Sequence, residues 1–307
     1  MRKISIKNKF MRKIFAAGIF SLMASTGLTS GANAAVCSIS GTTSFGYTGA
    51  AETCDVTQAG TYGITAIGGD SGSTSQVITH GAEISGDIQL ASGEALTIIV
   101  GGEGVEDFGS QNGGGGSFVF QGTGTSATPL VVGGGSGGNG DSSYGENASL
   151  TSSGGSSQTT VSGGTNGGNG GTSGNGSSGY GYITVLSNPA IGPTFGGGGA
   201  GSNLSGGGGG GYSGGGGGTY EAGGGGGGSY VTSSATNTSS LIYYGSTYSG
   251  YGEVLFNYVG PPTSSSGSGT TGSGTTPTSV PEPSSLAILM AALVGLGGAV
   301  FYKRKNG

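Results

Sequence analysis

Apolar positions in this chain gather into short stretches of strand length, set apart by glycine and serine. Residues 61–67 alternate in part, 83–90 lead to Ala91-Ser92-Gly93, and 95–100 follows as a β-branched apolar run. The two segments about that turn read as a hairpin. Further strand candidates are 117–120, 130–132, 180–186, 229–232, 241–244 and 252–259. No helical apolar period appears between the two ends of the chain, so the expected fold class is all-β.

The longer apolar stretches lie at the ends. A basic segment at 2–13 precedes apolar residues 14–28 and then Ala32-Asn33-Ala34, the three parts of a secretory signal, with cleavage expected before Ala35. The apolar stretch falls short of the roughly 20 residues a bilayer span needs. At the other end, Val280, Pro281, Glu282 and Pro283 introduce apolar residues 286–302 and the basic Lys303, Arg304 and Lys305. A helix of that length reaches roughly 25 Å, enough for a thin bilayer, with its basic end cytoplasmic. The prolines hold the preceding segment extended, open to a processing enzyme.

This ordered set resembles the PEP-CTERM sorting domain. The resemblance implies an exosortase-like partner that cuts near the Pro-Glu-Pro signature, after a transient stay in the inner membrane; a permanent single-span anchor remains open. The chain then divides into a signal peptide (1–34), a glycine-rich β domain (35–260), a Ser/Thr/Gly/Pro stalk (261–279) and the sorting signal (280–307). The stalk cannot build a core and reads as a flexible spacer whose hydroxyls are candidates for O-linked sugar.

Composition sharpens the problem of the body. Of 307 residues 78 are Gly and none is Trp, so little side-chain volume is available to bury. Tracts at 113–116, 196–199, 206–211, 214–218 and 223–228 fit either flexible linker or extended polyglycine helices of three residues per turn, bonded to neighbours. The ordered series 81–90, 92–102, 112–119, 129–135, 206–218 and 223–231 resembles the glycine-rich extracellular domain of anaplastic lymphoma kinase and leukocyte tyrosine kinase receptors. That resemblance implies a small β-sandwich-like unit joined to stacked polyglycine helices, with no counterpart for the Ser/Gly-rich stretch 140–179.

Charge is segregated. All nine Lys and Arg lie in 2–13 and 303–305, and all fourteen Asp and Glu lie between them. Once both ends are removed the product is purely acidic: soluble, and without the cations that neutralise phosphates, which argues against nucleic-acid binding. Cys37 and Cys54 are the only cysteines, and export makes a disulfide the expected outcome.

Catalytic motifs fail on order. Gly69-Asp70-Ser71-Gly72 mimics a protease nucleophile segment, and Gly211-Tyr212-Ser213-Gly214-Gly215 fits a hydrolase elbow. The single histidine, His80, stands on the wrong side of Ser71 for the first and lies before Ser213 for the second. A Walker loop would need a Lys. Glu103, Glu106 and Asp107 suggest a weak calcium loop but match no calcium motif, and no cofactor is expected. The tyrosines flanking the tracts, among them Tyr212, Tyr220, Tyr230, Tyr243, Tyr244, Tyr248 and Tyr251, are expected to cover glycine faces or pair across strands, or to stack on sugar. The expected function is that of a non-enzymatic exported surface or matrix protein, handled by signal peptidase and an exosortase and associating with itself or with extracellular polysaccharide. The alternative is an adhesin or carbohydrate-binding module on a single-span anchor.

Overall fold

The computed structural model describes residues 35–37, 40–72, 77–107, 109–173, 175–244 and 250–262. The predicted signal peptide with Ala32 and Ala34, the stalk beyond residue 262, the sorting residues Val280, Pro281, Glu282 and Pro283, and the tail Lys303, Arg304 and Lys305 lie outside them. Among the described residues no helix is long and apolar enough to cross a membrane.

In chain order the strands are β1 (Ala35–Val36), β2 (Thr42–Gly46), β3 (Glu52–Asp55), β4 (Gly60–Ile67), β5 (Ala82–Leu90), β6 (Ala95–Ile99), β7 (Glu106–Asp107), β8 (Ser110–Gln111), β9 (Ser117–Gln121), β10 (Thr128–Gly133), β11 (Tyr230–Val231), β12 (Thr236–Ile242) and β13 (Glu253–Gly260). One sheet runs β12-β5-β4-β13-β2 and is antiparallel throughout; a second runs β1-β3-β6-β9-β10-β11; β7 and β8 form a small ribbon. β4 and β5 bury alternate residues, which puts Tyr62, Ile64, Ile84 and Ile88 against Leu96, Ile98, Val119 and Val131 of the facing sheet. β9 is buried on both faces: Val119 enters that core, while Phe118 and Phe120 enter a second cluster with Ile99, Val132 and Val185. Its unbroken apolar run is the sequence mark of two covered faces.

Two expectations fail. Residues 83–90 and 95–100 do not form a hairpin: β5 pairs with β4, and β6 pairs with β3 and β9 in the other sheet. The Ala91–Glu94 connection is therefore an arch between sheets, which lets Leu90 and Leu96 meet in one core. The second is 180–186, read as a strand, where the structure has the helix α1 (Tyr182–Ser187). Packing decides it: Tyr182, Val185 and Leu186, at helical spacing, lie in the second cluster, while Ile183 is exposed.

The glycine tracts are ordered, and their hydrogen bonds give their geometry. Along 206–211 the donors point in turn to three different neighbours: Gly206 and Gly209 to Ala222 and Gly225, Gly207 and Gly210 to Gln111 and Gly114, Gly208 and Gly211 to Ser177 and Tyr180. A partner that repeats every third residue is the mark of an extended three-fold helix. Carbonyls of the same segment accept from Gly215 and Gly218, from Gly135 and Gly138, and from Gly199. The segment is thus the axis of a bundle whose helices are held side by side mainly by backbone hydrogen bonds. The stretch 140–179 is part of it, since Gly155, Gly164 and Gly179 donate to Gly226, Gly214 and Gly215 at 2.7, 2.8 and 2.9 Å.

Strand register fixes how bundle and sandwich join. Ile67, Ala82, Ile99, Ser117, Gly133 and Tyr230, at the ends of their strands, all adjoin bundle segments. The opposite pole of the sandwich holds the 91–94 arch, the end of β13 at Gly260 and β1, because Gly260 pairs with Thr61 and Val36 with Asp55. The far pole of the bundle is a cap of turns.

Candidate functional site

A body with so few large side chains depends on covalent and polar ties, and the first is near its N-terminal end. Cys37 and Cys54, both fully buried, form a disulfide with Cα atoms 5.0 Å apart, closing the loop that carries β2 onto β3. Ala35, the residue expected to follow signal cleavage, opens β1 and pairs with Cys54.

Where β4 passes into the bundle, Asp70 is held between sheet and glycine helices. Its carboxylate accepts the Gly81 N–H at 2.8 Å and lies 3.2 Å from His80 Nδ1. Burial raises the Asp70 pKa above the ordinary carboxylate value, with the Gly81 and His80 bonds opposing. Glu103 is raised too, by burial and by the charge of Asp70. Ser71, the serine of the protease-like segment, is buried and accepts the Thr79 N–H at 3.1 Å; its hydroxyl bonds to Thr79 and not to His80. Ser213 of the elbow-like segment is fully buried and accepts the Gly167 N–H at 3.1 Å. Both serines therefore serve as internal links of the glycine bundle. Glu103 lies against Gly250, and Glu106 is in the β7–β8 ribbon; among the described residues no three His, Cys, Asp or Glu side chains converge as a metal site would require.

The tyrosines divide between two uses. Tyr182, Tyr212 and Tyr230 stack in a row, with ring centres 4.9 and 4.4 Å apart, and lie over the Phe118 and Phe120 cluster. Burial and mutual proximity raise the Tyr212 pKa. Tyr251 stacks on Tyr47 at 4.5 Å, and Tyr248 lies outside the described residues. Others face solvent: Tyr220 on a turn at the far pole of the bundle, Tyr244 against the edge of the His80 ring at 4.9 Å, and Tyr144.

Tyr144 belongs to the turn 141–147, which the sequence did not single out. With Val77 it lines two adjoining hollows on the outer part of the bundle, of about 770 and 330 Å³. The first also takes in Asp141, Ser142 and Gln158, the second His80, Glu146 and Tyr244. The available signal was an aromatic and two acids, Asp141 and Glu146, standing inside an otherwise Ser/Gly-rich run.

No curated protein matches the chain, so the resemblance of its body to the glycine-rich receptor domain gains no support from such relatives. Residues 279–305 match the family model of the PEP-CTERM protein-sorting motif, and that motif marks a protein sorted to the cell surface by an exosortase-type system.

Proposed function

We propose that the chain is a non-enzymatic structural component of the extracellular surface or matrix, released from a transient membrane anchor by cleavage near Pro281, Glu282 and Pro283. The observation that carries this reading is the sorting motif at 279–305, placed after a disulfide-bonded, purely acidic body. Signal peptidase cuts before Ala35, and the Cys37–Cys54 bond then forms in an oxidising compartment. The body contributes bulk, hydration and self-association, not chemistry. In support of self-association, β12 is a sheet edge whose residues 236–241 are exposed and include neither a charged residue nor Pro, and past the register shift between Thr236 and Ser239 its residues 239–242 run in regular register.

The test is the intact mass of the protein recovered from the cell surface and medium of its host. The expected mass begins at Ala35, ends between Pro281 and Ser285, and is lowered by the hydrogens lost on disulfide formation. Surface material that still carries Lys303, Arg304 and Lys305 would overturn release and leave a permanently anchored protein.

A further inference from the structure

The outer part of the glycine bundle carries the two hollows that share Val77 and Tyr144. Their apolar groups are unusually open: Val77 is 55% exposed, Tyr144 54% and Tyr244 70%. Their polar groups are fixed from below. Asn139 donates to the Val77 carbonyl at 2.6 Å and accepts the Gly145 N–H at 2.7 Å, and Asn147 accepts the His80 N–H at 2.8 Å. Gln158 donates to Glu146, Ser142 donates to Glu221 at 2.7 Å, and His80 is held by Asp70. The walls are thus tied to each other and to the bundle before any ligand arrives, which reduces the ordering cost of binding.

The chemistry of the lining selects the occupant. No Lys or Arg occurs between residues 14 and 302, so polyanions, whether nucleic acids, acidic lipids or polyuronates, find no counter-charge. The carboxylate of Glu146 accepts from the neutral Gln158 amide and keeps further acceptor capacity for a hydroxyl. Tyr144 and Tyr244 both line the second hollow and present exposed ring surface, suited to the C–H faces of a pyranose, while the amide, hydroxyl and carboxylate groups of the two hollows suit its edges. We propose that this groove is a binding site for an uncharged, hydroxyl-rich polysaccharide chain, seated on Tyr144 and Tyr244 and hydrogen-bonded by Asp141, Glu146 and Gln158. The site is independent of how the sorting tail is processed.

The experiment is affinity electrophoresis of the full protein purified from its host, in gels containing hydroxyethylcellulose, mixed-linkage β-glucan or galactomannan, with poly-L-lysine as the counter-probe. Retardation by at least one neutral polysaccharide is expected. It should weaken about tenfold in Tyr144→Ala and again in Tyr244→Ala, a factor that corresponds to about 1.4 kcal/mol per ring. Thermal midpoints of both variants should stay unchanged, because both side chains are exposed. Retardation by none of the three glycans, retardation that survives both substitutions, or binding to poly-L-lysine alone would each overturn the proposal, the last in favour of a basic protein partner. Tyr144→Phe, which keeps the ring, should bind as the natural protein does and so separates ring stacking from loss of the hydroxyl.

Discussion

Replacing Gly209 by Ala places a methyl group on the axis of the bundle. An ideal Cβ there would lie 2.1 Å from the Gly135 carbonyl oxygen and 2.7 Å from the Gly227 nitrogen, where ordinary contact begins at 3.4 Å. One backbone must retreat by about 1.3 Å from the other to restore that contact. The Gly227 N–H donates to that same Gly135 oxygen at 2.8 Å, and Gly209 itself donates to Gly225 at 2.9 Å. A retreat of that size breaks at least one of these bonds, and leaving a buried donor or acceptor unpaired costs about 1–3 kcal/mol. Overpacking strain adds about 1–3 kcal/mol, so Gly209→Ala should lose about 2–6 kcal/mol, a large part of the stability of an ordinary domain. Gly46→Ala is the control: it lies in β2, where an added Cβ would meet no atom within 4 Å, and should change stability by less than about 0.5 kcal/mol. Urea unfolding of the disulfide-bonded protein, followed by tyrosine near-ultraviolet circular dichroism, reads both. A loss below about 1 kcal/mol for Gly209→Ala would refute the packed bundle.

Other consequences follow from the same geometry. The double substitution Cys37→Ala and Cys54→Ala opens a loop of sequence separation 17 and should lower the unfolding free energy by about 3 kcal/mol; an unchanged urea midpoint would remove the disulfide from the stability account. Asp70 and Glu103 both have carboxyl pKa values raised by burial, so the folded state binds their protons more readily than the unfolded chain does. The stability they contribute is therefore complete below the ordinary carboxylate range and is lost as pH rises through their raised values. Thermal midpoints should climb on acidification from pH about 7 to about 4.5, and Asp70→Asn should flatten that slope; a midpoint that falls monotonically over the same range would contradict the assignment.

The strands most legible in the sequence were those with a single clear pattern. Partial alternation marked β4, the lead into Ala91-Ser92-Gly93 marked β5, and the β-branched apolar run marked β6. β2 and β3 escaped notice, since each buries one large or apolar side chain, Phe45 and Cys54, among polar neighbours. The arch at 91–94 looked like a hairpin because turn chemistry says where a chain reverses and not which sheet receives the next strand. α1 was masked by β-branched residues whose propensity yielded to the cluster around Val185. The glycine tracts were the hardest to judge: the partners of 206–211 come from segments as distant as Gln111 and Ala222, and no local pattern records such pairing. For the same reason the turn around Tyr144, and the hollows it forms with Val77, came only with the tertiary structure.

Whether a chain so rich in glycine is held rigid by its backbone bonds is measured directly by amide hydrogen exchange. The amides of 206–211 and 224–228 should exchange as slowly as those of β4 and β5, in one cooperative unit. Exchange of these glycine amides at the rate of an unstructured chain, with the strands still protected, would contradict the bundle and return the tracts to flexible linker.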